Sequence, residues 1–221
     1  VATLGTGARK GVLIKGGRYV EQLAKITVVA LDKTGTLTSG EPEVTDVILL
    51  DDGITHGIAS SEQMLAVAAG IERLSQHPLA QAIIRYADAQ GITPSAVDDF
   101  RSLTGAGIKA KINDSTVYAG SPSLFENQLN ISLMDVATKI KDLQGDGKTV
   151  VVIGDEQVSW GLIAIRDTVR PNARQTIESL HQAGVRVVML TGDNQRTAQA
   201  IAQEVGVDEF HADLKPEDKV N

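Results

Sequence analysis

Hydrophobic positions along this chain follow two different rules, and the rule changes with region. Val28 to Leu31 is a continuous apolar run, β-branched at its start, which predicts a fully buried strand. After Ser39-Gly40-Glu41-Pro42, Val44 to Leu50 predicts a second strand that ends at the turn residues Asp51-Asp52-Gly53, the boundary of an inserted domain. Helical spacing then takes over. Met64, Leu65, Ala68, Ile71 and Leu74 recur behind Ser60-Ser61-Glu62-Gln63, a Ser-x-x-Gln capping box. Pro78 suits a first helical position; Leu79, Ala80, Ile83, Ile84 and Ala87 give that helix its apolar face, and Gly91 stops it.

From Phe100 the pattern turns to strands. Ile108, Ala110 and Ile112 alternate with Lys109 and Lys111, Asn113-Asp114 make a turn, and Thr116 to Ala119 return as a hairpin partner. Met134 to Leu143 predicts a helix, Lys148 to Ile153 and Val158 to Ile165 predict strands, Pro171 to Ala183 a helix, Val185 to Leu190 a buried strand, and Gln195 to Val205 a helix stopped by Gly206. A strand–loop–helix rhythm at both ends around a mixed middle implies an α/β parallel-sheet domain interrupted by an α+β insert. The expected partition is a linker over 1–26, the first part of the parallel-sheet domain over 27–42, the insert over 43–147, and the second part over 148–221. The linker is glycine-rich and carries Arg9, Lys10, Lys15 and Arg18, which suits a solvated segment or one near an anionic surface.

Composition narrows the function. The hydrophobic content of 42% is that of an ordinary globular protein, and the absence of cysteine excludes disulfides and thiolate metal sites. A net charge of -7 argues against broad neutralisation of a nucleic acid, while leaving a single nucleotide possible. No apolar run reaches the roughly 18 to 20 residues that cross a bilayer, and the first residues do not read as a signal peptide.

Two loops concentrate the chemistry. Asp32 ends the first strand, at the sheet edge where open α/β sheets bind ligands, and a carboxylate there can attack phosphorus. Gly35 allows close approach of backbone to a phosphate, and Lys33, Thr34 and Thr36 supply charge, carbonyl and hydroxyl groups. Thr191-Gly192-Asp193-Asn194 also follows a strand, so Thr191 can reach the same edge beside the free amides of the next helix. Two further motifs mislead. Gly105 to Ala110 has G-x-G-x-x-A spacing but a hairpin follows, and Gly147-Lys148-Thr149 is no P-loop because Asp142 stands at the leading glycine position.

The unbroken run Asp32-Lys33-Thr34-Gly35-Thr36-Leu37-Thr38 resembles the phosphorylation motif of P-type ATPases, the ion pumps of the haloacid dehalogenase superfamily. The resemblance extends over nearly the whole chain. It implies a haloacid-dehalogenase-like parallel-sheet domain with a nucleotide-binding insert, in which Asp32 receives the terminal phosphoryl group of ATP. Thr191 would then bind phosphate, Asp193 would contact the nucleotide, and Lys219, in Pro216-Glu217-Asp218-Lys219, would neutralise the aspartyl phosphate. Asp167 and Arg170 match an Asp-x-x-Arg signature on the hinge side of the site.

Ser75-Gln76-His77-Pro78 is similar to the nucleotide-domain signature of the heavy-metal pumps, which implies His77 beside adenine and Glu72 at its amino edge, with Gly105 and Gly107 as a nucleotide loop. Gly120-Ser121-Pro122 looks more like the zinc, cadmium, lead and cobalt pumps than the copper pumps. Mg²⁺ is expected on Asp32 and the carbonyl of Thr34. The family's later Gly-Asp-Gly-x-Asn-Asp motif is not reached before Asn221, so poor autophosphorylation of the fragment is expected. Superfamily phosphatases carry a second aspartate at the position of Thr34, and a threonine cannot do that proton transfer. The implied partners are ATP, the actuator and transmembrane domains of a parent pump, and a heavy-metal cation bound elsewhere, at the cytoplasmic face of a membrane, with no nucleic acid. An inert nucleotide-binding module and a soluble phosphatase of the same superfamily stand as alternatives.

Overall fold

The computed structural model describes residues 11–12 and 16–219, and it resolves two sheets joined by a paired crossing. Of the expected linker, residues 1–10 and 13–15 lie outside the described residues, while Gly17–Leu23 forms a short helix, α1. Strand β1 (Val28–Asp32) starts a three-stranded parallel sheet with β8 (Arg186–Leu190) and β9 (Glu209–His211), in the order β1-β8-β9. Two helices pack on it, α6 (Ala173–Gln182) and α7 (Gln195–Val205), around Leu37, Ile177, Val187, Met189, Ile201 and Val205. Asn194 caps α7 by accepting from the amides of Arg196 and Thr197, and Gly206 ends it in the left-handed conformation.

Between these parts the chain runs through β2 (Glu43–Leu49), α2 (Asp51–Thr55), α3 (Ser61–Glu72), α4 (Pro78–Ala89), β3 (Asp98–Leu103), β4 (Gly107–Ile112), β5 (Ser115–Gly120), α5 (Ala137–Gly145), β6 (Thr149–Gly154) and β7 (Ser159–Arg166). Six of these form an antiparallel sheet in the order β2-β7-β6-β5-β4-β3. Helices α3 and α4 bury Met64, Ile71 and Ile83 against Val151, Ile153, Ile163 and Ile165 on one face. On the other face Leu124, Phe125, Ile140 and Leu143 meet Val150, Val152, Leu162 and Ala164. The alternate residues of β6 and β7 therefore enter two different cores.

Three expectations change. The boundary between residues 147 and 148 falls inside the insert, because Thr149–Gly154 and Ser159–Arg166 pair with β5 and β2 and the chain leaves this sheet only after Arg166. Burial on both faces makes these strands read as continuous apolar runs, the pattern that parallel sheets also produce. Among the described residues β1, expected to be fully buried, pairs with β8, and its Val28 and Ala30 are exposed. After Leu50 the chain forms the short helix α2 rather than a bare turn, and Leu74, expected on the apolar face of α3, is exposed beyond that helix's end. Smaller differences are local. Residues Met134–Val136 form a tight turn ahead of α5, and Gln63 accepts from the amide of Ala59 at 2.7 Å rather than from that of the cap Ser60.

The two sheets are joined where the chain leaves and returns side by side. Thr38 and Val169 form an antiparallel bridge, the Ser39 amide donates to the Thr168 carbonyl at 2.9 Å, and the Arg170 amide donates to the Leu37 carbonyl at 2.9 Å. Arg85 of α4 adds a bond from its guanidinium to the Pro42 carbonyl at 2.8 Å.

Candidate active site

Parallel pairing places the chemistry at one edge. The register sets Asp32 opposite Leu190, so the chain beyond each strand, with Lys33 on one and Thr191 on the other, leaves at the same carboxyl end. Thr191 is buried, its amide donating to the His211 carbonyl at 3.0 Å and its carbonyl accepting from the Leu214 amide at 3.1 Å. These bonds steer the segment after β9 back across the edge. It ends in a tight turn over Pro216–Lys219, and Lys219 Nζ ion-pairs with Asp32 Oδ1. Both side chains of this pair keep partial solvent access.

The loop after Asp32 is wound rather than extended. Gly35 adopts a φ of 74°, open to glycine at no steric cost, and Thr34, Gly35 and Thr36 are exposed while Lys33, Leu37 and Thr38 are buried. Asp167 pins the far end of this loop: its carboxylate accepts from the Thr38 hydroxyl at 2.5 Å, the Ser39 hydroxyl at 3.1 Å and the Gly40 amide at 3.0 Å. Arg170 holds the near end, donating to the Gly35 carbonyl at 3.1 Å and the Thr36 carbonyl at 3.1 Å. The Asp-x-x-Arg signature thus works as a clamp, one charge fixing donors and the other fixing carbonyls.

Lys33 does not project toward Asp32. Its ammonium is buried in an ion pair with Asp193 Oδ2, and the same oxygen accepts from the Thr191 hydroxyl at 3.0 Å. The other oxygen, Oδ1, accepts from the Thr149 hydroxyl at 3.1 Å. The side chains thus form two sets at this edge, Asp32 with Lys219, and Lys33 with Asp193 and Thr191, joined through the adjacency of Asp32 and Lys33 in the chain. Thr149 is a further partner of this site that the sequence does not reveal, because its place at the start of a predicted strand carries no sign of Asp193, which it meets only through folding.

The insert brings its own candidates. Glu72 ends α3 in a buried position, and burial pushes its carboxyl up to about 7 although Ser75 hydrogen-bonds it in the opposing sense. His77 is the cap of α4, its Nδ1 accepting from the Leu79 amide at 3.2 Å. Loss of hydration lowers the imidazole below its usual range, and the charge of Asp193 opposes that shift. Gly105 turns at a φ of 70° with open space where a side chain would be. Gly107 differs: a β-carbon there would stand 2.3 Å from the Ala119 carbonyl oxygen, so that glycine is demanded by strand packing before any ligand. A separate surface cleft of about 400 Å³, lined by Gly70, Arg73, Leu74, Ser95, Ala96 and Val97, contains none of these residues.

Among the described residues no group of three or more His, Asp or Glu side chains is poised around a metal ion. Asp32 and the exposed Thr34 offer two hard oxygen ligands. That donor set suits Mg²⁺, which takes one or two protein oxygens and completes its shell with water and substrate phosphates.

A family model described as haloacid dehalogenase-like hydrolase matches residues 26–221. A probable cadmium-transporting ATPase of Staphylococcus aureus is 45% identical over 226 residues, covering 100% of this chain, which spans only 30% of that relative's length. A zinc-transporting PIB-type ATPase in an E2.Pi state superposes with a TM-score of 0.67 at 41% identity, over 98% of this chain and 34% of that one. The catalytic domain of the CPx-ATPase CopB-B, described for its conformational changes upon nucleotide binding, superposes with a TM-score of 0.68 at 28% identity, over 98% of this chain and 73% of that one.

Proposed function

Because this chain belongs to the haloacid dehalogenase-like hydrolases, we propose that it is the ATP-binding and aspartyl-phosphorylated part of a heavy-metal ion pump. One observation carries the reading: Asp32 stands at a parallel-sheet edge, partly open, paired with Lys219 and next to the loop of Thr191. ATP docks on the insert against Glu72, His77 and the Gly105-Gly107 turn. One carboxylate oxygen of Asp32 then forms a bond to the terminal phosphorus as the bond to the bridging oxygen breaks and ADP departs. Lys219 and the Thr191 hydroxyl offset negative charge on the transferred group, and Lys33 does so from its place on Asp193. Bound on Asp32 and the Thr34 carbonyl with the phosphates of ATP, Mg²⁺ would offset the charge of the polyphosphate.

The relatives' names and the Gly-Ser-Pro feature favour a cadmium- or zinc-class cation as cargo. Its path belongs to membrane helices of the parent protein: no described helix here is long and apolar enough to cross a membrane, and the S. aureus relative is more than three times as long as this chain. The cytoplasmic face, where ATP is found, is the compartment this implies, and hydrolysis of the aspartyl phosphate falls to an actuator domain of the parent. A soluble phosphatase is disfavoured because Thr34 cannot serve as its general acid.

The test is labelling of the full-length parent with terminally radiolabelled ATP. Acid-stable, hydroxylamine-sensitive label is expected in the wild type and lost in Asp32→Asn, while ATP still shifts the amide resonances of Glu72, His77, Gly105 and Gly107 in this chain and His77→Gln weakens those shifts. Label retained by Asp32→Asn refutes the reading.

A further inference from the structure

Gly147-Lys148-Thr149 has no part in the chemistry above, yet all three residues dock on the helix and loop that carry Asp193. Gly147 lies against Ile201 of α7, where an added β-carbon would come 2.9 Å from the isoleucine Cδ1. The Lys148 carbonyl accepts from the Thr197 hydroxyl at 2.9 Å, and its ammonium bonds Asp46 of β2 at 2.8 Å. The Thr149 hydroxyl donates to Asp193 Oδ1 at 3.1 Å. Three segments thus converge on one carboxylate: the loop of Lys33, the end of β8 with Thr191, and the first residue of a central strand of the insert.

These three partners are not equivalent. Lysine is a long, flexible point charge that follows its carboxylate, and Thr191 shares Asp193's own loop. Thr149 is held by the pairing of β6 with β7, opposite Ile165, so its hydroxyl has a position fixed by the six-stranded sheet. It is the partner that can hold Asp193 in place relative to the insert. We propose that Thr149 is a positioning residue for phosphoryl transfer: by holding Asp193 Oδ1 it fixes Lys33 and Thr191, the residues that follow the paired strand ends at the edge of Asp32, and it does so only while the insert is docked on α7. Assembly of the phosphorylation site is in this way coupled to the position of the domain that brings ATP. The inference rests on the reading of Asp32 as phosphoryl acceptor.

The experiment uses the full-length parent protein and follows Asp32-dependent labelling by ATP in Thr149→Val, which keeps the shape and removes the donor, and in Thr149→Ser, which keeps the donor. The rate of labelling at saturating ATP is expected to fall about tenfold in Thr149→Val, the loss of one hydrogen bond to a charged group. ATP affinity is expected to stay within about twofold, since the hydroxyl touches Asp193 and not the nucleotide. Thr149→Ser is expected to restore most of the rate. In an Asp193→Ala background, Thr149→Val is expected to change the rate no further. A merely structural threonine would lower the melting temperature and both kinetic constants together, and would act equally in either background. Labelling by Thr149→Val at the wild-type rate, or an undiminished effect of Thr149→Val in Asp193→Ala, overturns the proposal while leaving Asp32 as acceptor. Absence of Asp32-dependent label in the wild type overturns both. Should Thr149→Val not fold, Thr149→Ala carries the same expectations.

Discussion

Glu72 is a carboxyl group placed where the fold would rather have none. Its pKa rises from an ordinary 4.5 to about 7, with burial as the largest cause, so the native chain holds a proton there that the unfolded chain releases. Below about pH 4.5 the group is neutral in both states and costs nothing. Between that value and about 7 the unfolded state ionises first, so stability falls as pH rises, and above about pH 7 the loss is complete. At about 1.4 kcal/mol per pH unit, the rise from 4.5 to about 7 corresponds to about 3 kcal/mol of stability missing in neutral and alkaline solution.

Glu72→Gln keeps the shape and removes the ionisation. The variant should be more stable than wild type by up to about 3 kcal/mol near pH 8 and no more stable near pH 4.5, a difference in melting temperature of roughly 6–12 °C at the upper pH for a chain of this size. Urea unfolding at both pH values is the assay, followed by the fluorescence of Trp160, the chain's one tryptophan, which is buried in the same core that α3 completes. If Glu72 contacts the adenine amino edge, the stabilised variant should bind ATP more weakly than wild type, a trade of stability for binding. Stability curves of wild type and Glu72→Gln that stay parallel from pH 5 to pH 8 would refute a carboxyl whose burial outweighs its bond to Ser75.

Two further perturbations separate scaffold from site. Gly107→Ala would drive a β-carbon into the Ala119 carbonyl at 2.3 Å, so it should destabilise the insert by more than about 2 kcal/mol, whereas Gly105→Ala, open but at a φ of 70°, should cost about 1 kcal/mol and act chiefly on ATP affinity; calorimetry and ATP titration together distinguish them. Asp167→Ala removes three hydrogen bonds from a charged acceptor and should cost about 3 kcal/mol or more while lowering Asp32 labelling in the parent at least about tenfold; a folded variant that labels normally would show that the clamp on residues 38–40 is dispensable.

The residues that look reactive in the sequence and those the fold gathers agree closely at Asp32, Thr191, Asp193 and Lys219. Such agreement is expected for groups at strand ends, because a parallel pair carries whatever follows its last residue to one edge. Agreement is poorer where a side chain's meaning depends on its partner. Lys33 reads as a phosphate-facing charge and is found buried on Asp193; Gly107 reads as a nucleotide loop and is already required by the approach of β5.

Periodicity and capping signals, which are local, determined α3, α4, α7 and the β4–β5 hairpin to within a few residues, and the seven-residue run from Asp32 to Thr38 determined the family. Only the tertiary structure decided which sheet each strand joined. An apolar run buried on both faces is the same string whether its neighbours are parallel or antiparallel, so β6 and β7 went to the insert although their sequence suits either sheet. The contact of Thr149 with Asp193 belongs to the same class of fact. It joins residues 44 positions apart across two sheets, and nothing local in either segment encodes it.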